Sequence, residues 1–411
     1  MRFEHQTLDN GLHILGEHHP EAQSIAVGFF VRTGSRDEAP EVAGVSHFLE
    51  HMMFKGTPRR TAADINREFD EMGARYNAFT SEENTVYFGS VLPEFQTRLI
   101  DLLADMMRPS LRPEDFDLEK QVILEEIALY QDRPQFIVMD MGRETFFGDH
   151  PLGRRVLGTT ESIRALTRDQ MYEYFSHRYA PNNMSLILTG RYDWETAVAQ
   201  AQELCGGWEP AEARRELTPP QPRPRVRVEP KGRFQRAHLA LVAPGCAAQE
   251  ETRFAAAVAA TALGAAQGSR FYWALVDPGL AETATLSHSE EDGAGVFLGY
   301  LCCNPERAAE VLDTARRVLE EVCREGLNAE EVARAKRKMA SGQVLAGETP
   351  FGRLIHVGLD WVYRQEWQPL EEVIDRILAV SVEEVNDLLA RQPFAALTVV
   401  ALGAVSALGC N

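Results

Sequence analysis

Residues 111–120 have the sequence LRPEDFDLEK, and residues 327–336 have the sequence LNAEEVARAK. The two stretches carry matching side chains 216 residues apart, since Leu111, Glu114, Asp115 and Lys120 recur as Leu327, Glu330, Glu331 and Lys336. Each stretch begins a segment with helical periodicity. Similarity at one long spacing is typical of an internal duplication. The sequence therefore predicts two copies of one structural unit.

The same order of predicted elements surrounds both stretches. In each half, apolar and alternating patterns predict a strand, a helix, a pair of strands and two more helices. These lie at 24–32, from 44, at 74–92, 93–107 and 113–131 in the first half, and at 238–243, 252–263, 282–303, 305–324 and 329–345 in the second. Each half closes with helical segments and a strand, at 168–179 and 183–189 and at 370–391 and 396–405. The predicted fold class is α+β, with two homologous domains that each have a mainly antiparallel sheet covered by helices.

A proline-rich segment separates the two halves. Six prolines lie between residues 210 and 230, where the sequence has no apolar periodicity. Proline at this density disfavours helices and sheet interiors and favours an extended connector. We therefore predict an N-terminal domain at 1–209, a linker at 210–232 and a C-terminal domain at 233–411.

The composition excludes some classes of function. The chain has 411 residues, of which 45% are apolar, enough for two folded domains. Its net charge of −19 repels polyanions, so neither nucleic acid nor an acidic membrane surface is an expected partner. The N-terminus lacks a basic region followed by an apolar core. The apolar stretch 394–410 is shorter than the roughly 20 residues of a membrane span, and we predict a buried strand there.

The cysteines indicate the compartment. The chain has six cysteines and no C-x-x-C pair. This spacing predicts reduced, mostly buried thiols, as in proteins of a reducing compartment. We therefore expect a cytoplasmic protein.

Polar side chains interrupt an apolar helix at 44–54, GVSHFLEHMMF. His47, Glu50 and His51 project from one face, because residues three and four positions apart are neighbours on a helix. Two imidazoles one turn apart can bind the same metal ion. Burying them among apolar neighbours costs free energy unless their polar atoms have a partner. The pattern favours a metal site, and a helix surface that carries these side chains by coincidence is the alternative.

A catalytic zinc usually takes three protein ligands, so a further ligand must come from another segment. The predicted helix at 113–131 offers several carboxylates, most of them on a solvated face. Glu119 and Glu126 are seven residues apart and share a face. Their counterparts in the second half are Ala335 and Gly342. These carboxylates therefore belong only to the half that carries the histidine motif.

The motifs resemble those of the inverzincin metallopeptidases of the pitrilysin, or insulinase, family. That family carries H-x-x-E-H and, about 75 residues later, a glutamate ligand; His51 and Glu126 are 75 positions apart. The resemblance extends over the chain through LDNGLHI at 8–14, VRTGSRD at 31–37, NAFT at 77–80, EKQVILEEI at 119–127 and PLGR at 151–154. It is closest to the short bacterial members and to the subunits of mitochondrial processing peptidase.

The resemblance implies a zinc-dependent endopeptidase that hydrolyses oligopeptides or unfolded segments. The residues that it assigns as ligands of one Zn²⁺ ion per chain are His47, His51 and Glu126. It further implies that Glu50 is the general base and that Glu119 orients a histidine. Asn77 and Ala78 match the positions at which the family's first-domain edge strand meets the substrate backbone.

The second half departs from the family pattern. Active single-chain members carry there an arginine and a tyrosine that hold the substrate carbonyl, and the matching positions are Val276 and Glu282. A glutamate at this position would repel a developing oxyanion. The resemblance therefore implies a heterodimer in which a homologous, zinc-free subunit supplies the missing pair. Arg270 and Tyr272 are nearby in the sequence, and we expect them to serve packing; substitution for the missing pair is the alternative.

A second hypothesis is that the chain is a catalytically silent scaffold subunit of a larger complex. Such a subunit would keep the fold without hydrolysing peptides, and the replacement of the arginine and the tyrosine is compatible with this role. The intact His47, Glu50, His51 and Glu126 favour the enzyme, because polar groups in an apolar helix cost stability.

Overall fold

The computed structural model describes residues 1–222, 224–405 and 408. The chain forms two compact units, each assembled from three separate segments. The first unit contains Met1–Ile127, Arg154–Glu216 and Leu345–Pro369. The second contains Ala128–Gly153, Leu217–Val344 and the residues from Leu370 onward.

The predicted elements occur in the predicted order, and the structure adds elements that were not predicted. The strands are β1 (Arg2–Thr7), β2 (His13–His18), β3 (Ile25–Val31), β4 (Arg75–Thr80), β5 (Thr85–Val91), β6 (Met184–Gly190), β7 (Val226–Pro230), β8 (Ala237–Pro244), β9 (Thr283–Glu291), β10 (Ala294–Cys303) and β11 (Thr398–Gly403). The helices are α1 (Val45–Met52), α2 (Ala62–Glu71), α3 (Gln96–Met106), α4 (Pro113–Tyr130), α5 (Pro134–Phe147), α6 (Thr160–Ala165), α7 (Arg168–Arg178), α8 (Trp194–Cys205), α9 (Arg253–Gly264), α10 (Ala308–Glu325), α11 (Ala329–Gly347), α12 (Pro350–Arg364), α13 (Leu370–Ala379) and α14 (Val382–Ala390). Among the elements that were not predicted are β1, β2, α2, α5, α8 and α12.

The first unit is built on a sheet with the strand order β1-β2-β6-β3-β5-β4. Strands β2 and β6 run parallel, and the other neighbours run antiparallel. The central strand β3 is apolar along its whole length and fully buried, so both faces of the sheet must be covered. One face joins the core that contains α1 and α3. On the other face, Phe30 packs against Leu354 and Val357 of α12.

The second unit is built on a sheet with the strand order β7-β11-β8-β10-β9. Strands β7 and β11 run parallel, and the other neighbours run antiparallel. Helices α9 and α10 cover one face. On the other face, Val138 and Met141 of α5 pack against Ala240 and Val400.

Two helices are exchanged between the halves of the sequence. Helix α5 follows α4 in the first half but belongs to the second unit, and α12 follows α11 in the second half but belongs to the first unit. A glycine allows each helix to approach its sheet. A Cβ atom on Gly142 would lie 2.9 Å from Ala240 Cβ, and one on Gly358 would lie 2.2 Å from the Phe30 ring. The two glycines are 216 residues apart, so the close approach is part of the duplication.

Equivalent side-chain contacts also recur in the two units. Lys120 Nζ donates to the carbonyl of Leu166 at 2.6 Å, and Lys336 Nζ donates to the carbonyl of Val380 at 2.7 Å. The predicted fold class, two homologous α+β units with mainly antiparallel sheets, is confirmed. The linear division at 1–209, 210–232 and 233–411 stays a prediction. The compact units divide the chain differently, because the segments Ala128–Gly153 and Leu345–Pro369 each belong to the unit formed mainly by the other half.

The proline-rich segment contains one strand that the sequence pattern did not show. Strand β7 lies at the edge of the second sheet, beside β11. Proline is tolerated at a sheet edge, where an amide without a ladder partner can face solvent. Earlier in the segment, Arg215 is buried and its Nη2 lies 2.7 Å from Asp37 Oδ2. The connector is therefore fixed at several points.

The remaining expectations concern the termini and the cysteines. The predicted final strand is observed as β11, which is buried throughout, whereas Cys410 lies outside the described residues. The five described cysteines are free thiols, and four of them are buried. Among the described residues, no helix is both long enough and apolar enough to cross a membrane.

Candidate metal centre

Helix α1 presents the histidine motif. Phe48, Leu49 and Met52 are almost completely buried in the core of the first unit. Anchoring this apolar face fixes the rotation of the helix, so the polar residues must project from the other side. His47 is buried, with 8% of its surface exposed, and Glu50 and His51 are partly exposed.

A buried carboxylate that the sequence analysis missed holds the start of α1. Glu38 accepts hydrogen bonds from the backbone N–H groups of Gly44 at 2.7 Å and Ser46 at 2.8 Å. It thereby satisfies amides that have no partner within the helix. Gly44 has a φ of +92°, in the left-handed region that favours glycine. Burial raises the pKa of Glu38 to about 7, although the bonds from Ser46 and Gly44 oppose this shift.

Three side chains from two helices converge at the motif. His47 Nε2 lies 3.7 Å and His51 Nε2 lies 3.5 Å from the same oxygen of Glu126, Oε2. One ligand atom from each of the three residues lies within 4.8 Å of the others. Two imidazoles and a carboxylate are the donor set of a catalytic zinc site that leaves one position open. The group could therefore hold a metal ion.

The two histidines differ in their electrostatic surroundings. Burial, with a smaller contribution from the neighbouring His51, lowers the pKa of His47 to about 3. The ring is therefore neutral at pH 7, which is the form that binds metals. Burial also lowers the pKa of His51, but the hydrogen bond to Glu119 and the charge of Glu126 outweigh this effect, and its pKa is raised.

Glu119 contacts the far side of the His51 ring. Its Oε1 lies 2.9 Å from His51 Nδ1, and its Oε2 lies 2.5 Å from Lys55 Nζ. A carboxylate at Nδ1 places the ring proton there and leaves Nε2 free to face Glu126. The shared face of Glu119 and Glu126 on α4 produces this arrangement, as the seven-residue spacing indicates. Lys55 was not among the predicted residues.

Glu50 is held from the edge strand of the sheet. Its Oε2 accepts a hydrogen bond from Thr80 Oγ1 at 2.5 Å, and Thr80 is the last residue of β4. Burial raises the pKa of Glu50, with Glu126 adding to the effect and Thr80 and His51 opposing it. Thr80 belongs to the NAFT stretch but had no predicted role, because nothing in the sequence places the end of β4 beside α1.

The two predicted substrate-binding residues lie on that same strand. Strand β4 is at the edge of the first sheet and pairs with β5 on one side. Asn77 is exposed, and Ala78 is 8% exposed. The structure thus places Asn77 and Ala78 on an edge strand that ends beside Glu50.

Comparison with known proteins gives the family. The sequence model of the insulinase family, peptidase family M16, matches residues 13–160, and that of the M16 inactive domain matches residues 165–339. A Mycobacterium bovis protein named an uncharacterized zinc protease is 34% identical over 387 residues, which cover 92% of this chain and 88% of that protein. The chain belongs to peptidase family M16. A similarly named Bacillus subtilis protein is 32% identical over 390 residues, covering 94% of this chain and 95% of that protein.

Solved structures have the same two-unit M16 fold. A crystal structure described as a protease from Helicobacter pylori matches with a TM-score of 0.90 and 21% identity, covering 98% of this chain and 99% of that one. The peptidase M16 inactive domain from Pseudomonas fluorescens matches with a TM-score of 0.89 and 18% identity over 99% of both chains. The expected resemblance to the pitrilysin and insulinase peptidases is confirmed.

The second half of this M16 chain lacks the carboxylates of Glu119 and Glu126 at the positions that match by the duplication. Ala335 and Gly342 stand on α11 where α4 has Glu119 and Glu126. Val276 is the last residue of a π-helical turn, Tyr272–Val276. Glu282 is about half exposed, and its Oε1 lies 2.5 Å from Arg236 Nη2.

Arg270 donates its hydrogen bonds to groups of the second unit. Its Nε donates to Glu331 Oε1 at 2.8 Å, and its Nη2 donates to Glu331 Oε2 and to the carbonyl of Gly326, both at 3.1 Å. These contacts support the structural role that the sequence offered for it. Tyr272 stacks edge-on against Trp273, with ring centroids 4.9 Å apart.

Proposed function

We propose that this chain is the zinc-bearing subunit of an endopeptidase that hydrolyses oligopeptides or unfolded segments. The observation that carries the proposal is the convergence of His47, His51 and Glu126 on one point. Membership of family M16 and the zinc protease names of the relatives support it.

The residues of the first unit would have three roles, which are metal binding, proton transfer and positioning of the base. His47, His51 and Glu126 would hold one zinc ion. Zinc in such a site lowers the pKa of a bound water toward 7 and polarises a carbonyl. Glu50 would accept a proton from the water as it attacks the peptide carbon and return that proton to the amine as the C–N bond breaks. Thr80 would keep the Glu50 carboxylate in place by the observed hydrogen bond.

Strand β4 would bind the substrate through its backbone. An extended peptide can add to an open sheet edge through main-chain hydrogen bonds, which make little demand on its side chains. Asn77 and Ala78 are the residues of β4 that we propose for this contact. Broad sequence specificity follows from this mode of binding.

A homologous, zinc-free subunit would complete the active form. Val276 and Glu282 stand where active single-chain relatives are expected to carry an arginine and a tyrosine, and a glutamate disfavours a developing oxyanion. A partner that carries those two residues would supply the missing donors. The match of residues 165–339 to the M16 inactive domain is consistent with this division of labour.

Exchange of Glu50 for glutamine tests the proposed chemistry. Glu50→Gln keeps the size of the side chain but removes the base, so we expect unchanged zinc content and a fall in kcat of at least about 10²-fold in the assembled enzyme. Glu125→Gln, on the exposed side of α4, is the matched control. Retained turnover by Glu50→Gln would remove Glu50 as the base. Absence of both zinc and turnover in the unaltered chain would favour a scaffold.

A further inference from the structure

Outside the candidate metal centre, three polar side chains meet on the first two strands. His5 Nε2 lies 3.2 Å from His13 Nδ1. Thr7 Oγ1 lies 3.2 Å from His5 Nε2 and 3.1 Å from His13 Nδ1. The three atoms therefore form a nearly equilateral triangle.

The pairing of the strands explains why these side chains meet. Thr7 of β1 is directly opposite His13 of β2 in the antiparallel ladder, so their side chains point to the same face. His5 precedes Thr7 by two residues and shares that face because side chains alternate along a strand. His5 is thus the diagonal neighbour of His13, and regular strand geometry produces the cluster.

Hydrogen bonds account for at most two of the three contacts. An imidazole nitrogen either donates through its hydrogen or accepts through its lone pair, and the Thr7 hydroxyl has one hydrogen to donate. If both nitrogens carry hydrogen, they repel each other. If only one nitrogen carries hydrogen, or neither does, the cluster has at most two hydrogens to donate. At least one of the three contacts then has no hydrogen bond. A single cation above the triangle would satisfy all three atoms at once.

We propose that His5, Thr7 and His13 form a second metal site, which binds a divalent transition ion of the zinc, copper or nickel class. Two ligand atoms at about 2.1 Å from one ion lie about 3.0 Å apart at a right angle and about 3.4 Å apart at the tetrahedral angle. The observed separations of 3.1–3.2 Å fall between these values. Imidazole nitrogen selects zinc, copper and nickel over calcium and magnesium.

The surroundings of the cluster suit such an ion. The Trp361 ring on α12 lies 4.7 Å from the His5 ring and 5.3 Å from the His13 ring, measured between centroids. His5 is exposed, so water can complete the coordination. Burial lowers the pKa of both histidines, and His5 lowers that of His13 further. A lowered pKa favours the neutral ring, which is the form that binds metals.

A metal ion at this site would stabilise the pairing of the edge strand β1 with β2 in the first sheet. Strand β1 is an edge strand that, among the described strands, pairs only with β2, and none of its residues is buried, so few packing contacts hold it in place. An ion held by ligands from both strands binds the folded protein and stabilises it by an amount that grows with the logarithm of the ion concentration. This role is independent of peptide hydrolysis.

Copper binding to the full chain tests the proposal. In a His51→Ala background, which removes one proposed zinc ligand, we expect about one Cu²⁺ per chain to remain after gel filtration. Bound Cu²⁺ should quench tryptophan fluorescence because Trp361 borders the site, and added Zn²⁺ should raise the Tm. His5→Asn and His13→Asn in the same background should each lose the copper, the quenching and the rise in Tm. His19→Asn, an exposed histidine beyond β2, should keep all three.

Two results would overturn the proposal. One is a His51→Ala chain that retains no copper, and the other is retention of copper by the His5→Asn and His13→Asn chains. Circular dichroism would show that the variants are folded. The zinc content of the unaltered chain reports separately on the candidate metal centre, so the failure of one site is distinguishable from the failure of the other.

Discussion

At the scale of single residues, the side chains that contact the proposed ligands determine how those ligands are oriented. Glu119 contacts His51 Nδ1 at 2.9 Å and Lys55 Nζ at 2.5 Å. These contacts fix the imidazole so that Nε2 faces Glu126. A carboxylate behind a histidine ligand also makes that ligand a better electron donor.

Removal of this carboxylate should weaken zinc binding without abolishing it. For Glu119→Ala we expect a 10- to 100-fold loss of zinc affinity, the usual cost of losing a hydrogen-bond partner behind a ligand. Competition with a chelator measures the affinity, and Glu125→Ala, exposed on the same helix, serves as the control. Equal affinities for the Glu119→Ala chain and the unaltered chain would show that Glu119 does not act on the metal.

His288 should make the second unit sensitive to acid. Its Nε2 accepts a hydrogen bond from the Cys246 N–H at 3.0 Å, which requires a neutral ring. Burial lowers the pKa of His288 from 6.5 to about 4. Between these values the unfolded chain binds a proton that the folded chain does not, so the free energy of unfolding falls as the pH drops from 6.5 to 4, by up to about 3 kcal/mol.

Glutamine at this position should remove that dependence, because its oxygen can still accept the Cys246 N–H but does not titrate. Urea unfolding of His288→Gln at pH 6.5 and pH 4 should show a smaller loss of stability than the unaltered chain, and His19→Gln should behave like the unaltered chain. An unchanged loss in His288→Gln would assign the acid sensitivity to other groups.

At the scale of elements, two exchanged helices complete the two sheets. Arg353 of α12 donates to both oxygens of Glu17 on β2, at 2.7 Å and 2.6 Å. Gly358 of the same helix lies against the Phe30 ring. The ion pair and the close approach together fix α12 on the first sheet.

A methyl group at Gly358 should disturb this packing. The new Cβ would lie 2.2 Å from the Phe30 ring, and overpacking of this kind costs about 1–3 kcal/mol. Gly342→Ala is the matched control, since its Cβ would meet nothing within 4 Å and alanine stabilises a helix interior by about 0.5–1 kcal/mol. Thermal or urea unfolding measures both. A Gly358→Ala chain as stable as Gly342→Ala would contradict the close contact.

The sequence predicted only some of the helices and strands. The repeat of 111–120 at 327–336 and the apolar patterns predicted α4, α11 and the central strands, because periodicity records which face of an element is buried. The exchanged helices α5 and α12 lie outside the predicted segments, and periodicity does not record which sheet covers a buried face, so their exchange was missed as well. Glu38 and Thr80 were missed for the same reason, since each acts on α1 from a different segment. His47, His51 and Glu126 were proposed because helix geometry and family spacing both constrain them.

At the scale of the whole molecule, the two halves share a fold and differ in chemistry. The first half carries the converging histidines and glutamate, whereas the matching positions of the second half include Ala335 and Gly342. Among the described residues, the duplicated fold therefore carries a candidate metal centre in the first half only. The proposed zinc-free partner would supply the arginine and tyrosine whose positions we propose that Val276 and Glu282 occupy.

Restoring those two groups should raise the activity of the isolated chain. For Val276→Arg/Glu282→Tyr we expect peptide cleavage at least about 10-fold faster than by the unaltered chain, because one donor to an oxyanion is worth about 10²–10³ in kcat. Glu282→Gln, which removes only the charge, should have a smaller effect. Full activity of the unaltered chain by itself would contradict the need for a partner.

The position of zinc in the loaded protein tests the central claim most directly. An anomalous difference map from a crystal measured at the zinc edge should show an ion within about 2.0–2.2 Å of His47 Nε2, His51 Nε2 and a Glu126 oxygen. A zinc-loaded crystal with no ion at these three side chains would contradict the account.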